Sequence, residues 1–255
     1  MLQIYSLNQQ INFNAKLKYE QHCQLLFQFA AYQKLQSLYL CNMQSIRELI
    51  SKGESQTLEF KFELNSARRI SETISAFSNT DGGTLLIGVK DNGVPAGVRL
   101  EEEVYVLEAA TDLYCNPAVK PIIRKHEIDG KLIVEAIIPK AETKPVLAEY
   151  EVGVQKAWLR INASNRLATP VHMRLWQMND ASNPPPSSFS DSEQKILTLF
   201  NQRKWLSLNQ VSRLTKLPRF KVIQSLADFY RWDIINLEPE TSGGFIFTLQ
   251  ENLNK

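Results

Sequence analysis

"ISAFSNTDGGTLLIGVKDNGVPAGV", residues 74–98, is the stretch on which the fold turns. Ile74 and Phe77 continue a helical spacing that begins at Ile70, with Ser66 as a candidate N-cap. Asn79-Thr80-Asp81-Gly82-Gly83 interrupts that helix. The run that follows, "TLLIGV", reads as a buried strand. Lys90-Asp91-Asn92-Gly93 closes it, and Asn92-Gly93 is a strong hairpin-turn signal leading into "VPAGV". The order is therefore helix into strand. A phosphate cradle needs the reverse order, because the amides that face an anion lie at a helix N-terminus. Gly82-Gly83 thus reads as the turn that lets the strand start, with φ > 0 expected. No G-x-x-x-x-G-K-[ST] occurs, and the single Gly-Lys pair, Gly130-Lys131, is followed by Leu132.

Upstream, "MQSIRELISKG" reads as a short helix stopped by Gly53. "TLEFKFEL", residues 57–64, alternates strictly, which predicts a half-buried strand with Leu58, Phe60, Phe62 and Leu64 on one face and Glu59, Lys61 and Glu63 on the other. Downstream, "EEEVYVLEAATDLY" reads as a helix with acids in its first turn, where the dipole favours them. "KPIIRKHEI" and "KLIVEAIIP" read as strands joined at Asp129-Gly130, and "VQKAWLRI" as a further strand. Thr169-Pro170 opens a helix running to about Asn179. The expected fold is α/β of the α+β kind, with a mixed or antiparallel sheet and helices.

The proline- and serine-rich "NDASNPPPSSFSDS" marks a linker. Beyond it, "DSEQKILTLFNQRKW", "SLNQVSRLT" and "PRFKVIQSLADFYRWD" read as three helices, and "IINLEPETSGGFIFTL" as two strands around a Gly-Gly turn. This is the winged-helix pattern. The expected organisation is an extension over 1–42, a first domain over 43–180, a linker over 181–190 and a winged helix over 191–255. Residues 1–42 are glutamine-rich and read either as an extra helix on the domain or as an extension upstream of a start at Met43. They lack the apolar core and cleavage site of a signal peptide.

The net charge of +2 across 255 residues implies no nucleic-acid partner by itself, so basic character has to be local. It is local. Between Glu193 and Asp228 there is no acid, while Lys195, Arg203, Lys204, Arg213, Lys216, Arg219 and Lys221 are all present. In the third helix Val222, Ile223, Leu226 and Phe229 form the apolar stripe. Arg219, Lys221, Gln224 and Ser225 then face outward near the end that reaches base edges in helix-turn-helix docking. Arg213, Lys216, Arg219, Lys221 and Gln224 are the candidate nucleic-acid residues: lysines suit phosphates, Arg guanine and Gln adenine. The alternative is a winged helix used for protein contact, with solvated cations.

Cys23, Cys41 and Cys115 are far apart, with no C-x-x-C, which argues against a disulfide framework or zinc site and fits a reducing cytoplasm. No apolar run of about 18 residues suggests a membrane span. His22, His126 and His172 are isolated, so neither a triad nor a zinc site is expected.

Three blocks in order, "GESQTLEFK", the 74–98 stretch, and "KPVL" with "KAWLRINASNRLAT", resemble the Schlafen-AlbA domain family, also described as a divergent AAA group. The resemblance spans about residues 47–170. It implies a bacterial cytoplasmic transcriptional regulator with a C-terminal helix-turn-helix, bound to DNA first and RNA second, with no membrane partner and a homo-oligomer allowed. It also carries two chemistries, ATP binding and nuclease activity. In animal Schlafen members the domain resembles a metal-dependent endoribonuclease built on three acids. Here these correspond to Glu54 and Glu59 of the first block and, as the best candidate after the Gly-Gly strand, Asp91. Carboxylates suit Mg²⁺ or Mn²⁺, which would polarise a phosphodiester and activate water. Lys61, about 7 Å along the strand from Glu59, would stabilise developing charge. Glu54 and Glu59 converge only if Glu54 precedes the strand. The plain alternative leaves Glu59, Lys61 and Glu63 as a solvated face and Asp91 as a turn residue. Arg160, Ser164, Asn165 and Arg166 read as two arginines flanking a Ser-Asn turn, suited to hold a phosphate or to pair with Glu54 or Glu59. Lys144-Pro145 reads as structural.

Overall fold

The computed structural model describes residues 46–178 and 184–250. The chain divides into two compact units, residues 1–52 and 53–255. The described part of the first is a helix, α1, over residues 46–52. Both readings of residues 1–42 lie outside the described residues, as do Cys23, Cys41 and His22.

The second unit begins with β1 (Leu58–Lys61), α2 (Ala67–Asn79), β2 (Gly83–Ile87) and α3 (Leu100–Asp112). Next come β3 (Cys115–Asn116), β4 (Ile122–Ile128), β5 (Lys131–Ile138), β6 (Leu147–Glu151), β7 (Val154–Ile161), β8 (Ser164–Leu167) and α4 (Pro170–Gln177). Two four-stranded sheets result, ordered β1-β2-β5-β4 and β3-β6-β7-β8. The first is mixed. β1 runs parallel to β2 through the α2 crossover, while β5 pairs antiparallel with both β2 and β4. The β4–β5 turn falls at Asp129-Gly130 as its sequence requires, both residues having positive φ (53° and 73°).

β1 is shorter than the alternation suggests. The amides of Gly88 and Val89 both donate to the Lys61 carbonyl and end the pairing. The chain then turns, Phe62 stays exposed, and the Leu64 amide is anchored on the Glu103 carboxylate of α3 at 2.9 Å. Burial raises the Glu103 pKa, against the effect of that amide bond. β3, β6 and β8 carry no strand signal that the sequence reading used. The expected Ser-Asn turn is corrected as well: the turn is Asn162-Ala163, with Asn162 at φ 54°, and Ser164 and Asn165 already belong to β8, paired with Ile161 and Arg160.

Helix α2 is capped by Ser66, whose side chain accepts from the Arg69 amide. It is buried on two faces. Ile70, Ile74 and Phe77 join Leu85, Ile87, Val134, Ala136 and Ile138 in the first core. The other face is polar yet buried: Ser71, Ser75, Ser78 and Asn79. Asn79 Nδ2 donates to the carbonyls of Val146 (2.8 Å) and Trp158 (3.0 Å), and its Oδ1 accepts from the Val146 amide (2.8 Å). Ser75 Oγ donates to the Val146 carbonyl and accepts from the Trp158 amide. The small hydroxyls let the second sheet approach the helix closely, and the side chains satisfy backbone groups that would otherwise be buried without partners. Lys144 closes the end of α2 by donating Nζ to the Asn79 carbonyl at 2.7 Å. Burial there, with help from Lys140, lowers its pKa.

The glycine pair at the end of α2 is set by sterics. Gly82 has φ +76°, its amide donates to the Phe77 carbonyl, and a Cβ there would lie 2.9 Å from both the Ile138 oxygen and the Lys140 nitrogen. At Gly83 a Cβ would lie 2.4 Å from the Phe77 ring. The turn and the core contact both need bare backbone.

The remaining elements are α5 (Asp191–Gln202), β9 (Leu206–Ser207), α6 (Leu208–Thr215), α7 (Arg219–Arg231), β10 (Ile235–Pro239) and β11 (Phe245–Leu249). The strands form a small antiparallel sheet, ordered β10-β11-β9. Ser190 and Ser207 make capping boxes with Glu193 and Gln210. The second core holds Ile196, Phe200, Val211, Val222, Leu226, Phe229 and Phe247. It also takes Val171 from α4, with Leu175 and Met178 packed against it. The helix opened by Thr169-Pro170 thus packs with the C-terminal elements.

His172 of α4 is half-buried, and its Nδ1 accepts from the Thr169 amide at 3.1 Å. Its ring meets Phe245 edge-on, with centroids 4.6 Å apart. Burial lowers its pKa from 6.5 to about 4. Between those values the unfolded chain binds a proton that the folded one does not. Stability is therefore fully present above pH 6.5 and falls as pH drops towards 4. The loss reaches about 3 kcal/mol at about 1.4 kcal/mol per pKa unit. Urea midpoints measured from pH 7 to pH 4 check this; the slope should flatten in His172→Gln.

Candidate functional site

The inward face of β1 carries the first candidate. Glu59 and Lys61 lie opposite Leu85 and Ile87 of β2, which belong to the first core, so both side chains point towards α2. Glu59 is buried, which sets aside, for this residue, the plain alternative of a solvated face. Its Oε2 accepts from Arg160 Nη1 at 2.6 Å, and its Oε1 is 2.6 Å from Lys61 Nζ. Lys61 is the accessible member, with its side chain 36% exposed.

Arg160, on β7, is 1% exposed. All its nitrogens find acceptors. Nε and Nη2 donate to the Ser55 carbonyl (3.2 and 3.1 Å) and Nη2 to that of Leu58 (3.2 Å). Nη1 donates to Glu59 and to Asn165 Oδ1 (2.9 Å). Asn165 Nδ2 donates to Thr73 Oγ1 (2.8 Å), and Thr73 Oγ1 donates back to Glu59 at 3.4 Å. The ring Glu59–Arg160–Asn165–Thr73 therefore closes across β1, β7, β8 and α2. The Arg160 guanidinium also lies 5.0 Å from the Phe77 ring centroid. Of the two roles that suited Arg160, holding a phosphate or pairing with an acid, its hydrogen bonds go to the second.

The acids proposed for metal binding do not assemble. Glu54 precedes β1, as convergence required, but its Oε1 accepts the Phe60 amide at 2.9 Å. Asp91 is exposed in the turn where the Lys90 amide donates to the Val94 carbonyl. Among the described residues no group of three His, Cys, Asp or Glu side chains is placed to hold an ion. Glu59 already faces two cations where a dication would sit. These residues do not fit a Mg²⁺ or Mn²⁺ site. His126 is also less isolated than its sequence position suggests, since its Nε2 lies 2.8 Å from Glu135 across the β4–β5 hairpin.

Arg166 donates to the Glu240 carbonyl beyond β10, tying β8 to the small sheet. Ser164 is exposed at the start of β8.

The second candidate is the cationic end of α6 and α7. Arg213 lies in the last turn of α6, and Lys216 is its C-cap at φ 56°. Arg219 and Lys221 lie in the first turn of α7, and all four are exposed. Arg219 Nη1 donates to Asn209 Oδ1 at 2.9 Å. Gln224 is not free, which corrects its expected outward role. Its Oε1 accepts from Arg174 Nε of α4 at 2.6 Å, and its Nε2 donates to Asp228 at 2.8 Å. Ser225, also expected outward, is buried. Arg174 is the residue that sequence reading passed over, because nothing in the 170–177 pattern shows that α4 packs on α7.

Residues 54–169 match the family model described as Schlafen, AlbA_2. That segment is similar to Schlafen AlbA_2 domains. Every member of the Glu59–Arg160–Asn165–Thr73 ring lies within it, as does the glycine turn. Among solved structures, the chain is similar to the DIP2311 protein from Corynebacterium diphtheriae, at 16% identity over 76% of this chain and 34% of that one, with a TM-score of 0.42. It is also similar to the N-terminal domain of a RecG-related protein from Nitrosomonas europaea, at 22% identity over 53% of this chain and 95% of that one, with a TM-score of 0.37. No curated protein matches the chain. No helix among the described residues is long and apolar enough to cross a membrane.

Proposed function

We propose that the chain is a nucleic-acid-binding regulator, in which residues 191–250 act as a winged helix and the AlbA_2 domain is the platform that holds it. The order of elements, α5-β9-α6-α7-β10-β11, supports the winged-helix reading. The observation that carries the function is the acid-free stretch between Glu193 and Asp228, whose cations Arg213, Lys216, Arg219 and Lys221 are exposed around the α6–α7 turn. Phosphate contacts from such cations release counterions, so affinity falls steeply with salt.

The test is binding of labelled oligonucleotides across a salt series. Arg219→Ala with Lys221→Ala should weaken binding by at least tenfold. It should also reduce the log–log salt slope by about 2, roughly 1 for each phosphate no longer neutralised. Unchanged binding by the double variant would remove α7 from the interface.

A further inference from the structure

We infer that α7 takes an unpaired nucleobase, stacked on Phe220, rather than reading a closed duplex with its outer face. The inference rests on the nucleic-acid reading above and specifies its ligand.

The first observation is a matter of width. The major groove is about 12 Å wide and admits one helix. Here α4 lies against the side of α7 that would enter. Arg174 holds Gln224, Gln224 holds Asp228, and Ser225 and Ala227 are buried. Two helices packed about 8–10 Å apart, each about 10 Å across, present a front of roughly 20 Å. That front does not fit the groove. The middle of α7 is closed to base edges while its first turn is open.

The second observation is what that first turn carries. Phe220 is 69% exposed, between the exposed Arg219 and Lys221. A large aromatic left in water inside a run of cations is poor surface for folding. It is the arrangement that single-strand binders use, with cations along the backbone and a ring under a base. Beside it, Phe220, Lys221, Gln224 and Asp228 of α7 face Met173 and Arg174 of α4 across a cleft of about 730 Å³. The cleft has room for a base, with an apolar wall from Met173 and Phe220. Pro218 at the N-cap supplies no side-chain acceptor, so the dipole at this end of α7 adds to the attraction for a phosphate.

The test uses the full chain with labelled single-strand, bubble and fully paired oligonucleotides of one sequence at one salt concentration. The single strand and bubble should bind at least tenfold tighter than the duplex. Phe220→Ala should lower single-strand affinity by about 5- to 100-fold and leave the melting temperature unchanged, since the ring is exposed. Phe220→Trp should restore binding, whereas Phe220→Leu, equally apolar but without a π face, should not. Quenching of 2-aminopurine in the single strand should vanish in Phe220→Leu. Equal or tighter duplex binding that is indifferent to Phe220, with the Arg219 and Lys221 dependence intact, would overturn this inference and leave the nucleic-acid function standing. A shift in sedimentation of the protein alone on Phe220→Ala would also overturn it, by making the ring a contact between copies. No salt-dependent binding to any of the three would defeat the function itself.

Discussion

Arg160→Ala should lower the unfolding free energy by about 3–5 kcal/mol, the cost of breaking a buried ion pair from one side. The guanidinium serves two backbone carbonyls, Glu59 and Asn165 at once. Removing it leaves the Glu59 carboxylate buried with Lys61 as its remaining cation, and takes both guanidinium donors from the Ser55 carbonyl and one from that of Leu58, which keeps the Ser55 amide. Arg160→Lys should recover little, because one ammonium cannot span acceptors arranged for a planar fork. The diagnostic partner is Arg160→Met combined with Glu59→Gln. If the cost lies in the orphaned charge, the double variant should be more stable than Arg160→Ala, since replacing both members of a buried pair is often nearly neutral. Urea denaturation at pH 7 measures all three. A loss below about 1 kcal/mol for Arg160→Ala would mean that the pair behaves as a surface contact and that the ring does not hold β1, β7 and α2 together.

This network shows where sequence legibility stopped. Alternation along residues 57–64 places Glu59 and Lys61 on one face, and the structure keeps them there. It does not place that face in the interior, because alternation reports sidedness and not what covers a side. The cover comes from β7, about a hundred residues later, and its signal was Arg160 in the second half of that strand, where Ala157, Trp158, Leu159 and Ile161 are all apolar. In α2 the same limit acts on a gentler pattern. Ser71, Ser75 and Asn79 recur every four residues and look like a solvent face on polarity alone. They are buried. The clue is that no charged residue occurs after Glu72 in the helix, and a helix face without charge is suited to close packing on a sheet. The hairpin at Asp129-Gly130, the caps at Ser66 and Thr169 and the glycine turn were all legible, because each is decided by backbone chemistry within a few residues. The covering of α7 by α4 was not, because it depends on how α4 packs beyond Thr169-Pro170, and local patterning carries no record of that.

Gly83→Ala should cost about 1–3 kcal/mol, as overpacking of a filled core does, and the loss should be conditional on Phe77. The added methyl would sit 2.4 Å from that ring. One of the pair has to move, and Phe77 is fully buried among Ile74, Leu85 and Ile138. In a Phe77→Leu background, itself destabilised by the missing ring, adding Gly83→Ala should cost little, giving a coupling of about 1 kcal/mol or more in a double-mutant cycle. Gly82→Ala should cost at least as much and should not be relieved that way. Its obstacles are the backbone atoms of Ile138 and Lys140, and its φ of +76° is strained for any side chain. The contrast separates two meanings of a glycine pair. If these glycines served a bound phosphate, alanine would spare the denaturation midpoint and affect binding alone. If they serve the approach of α2 to β2 and β5, both substitutions lower the midpoint, and only the one facing a side chain can be compensated by trimming it. Uncoupled, near-zero costs at both positions would return the turn to the ligand reading, whereas the predicted pattern assigns "DGG" to the packing of the first core.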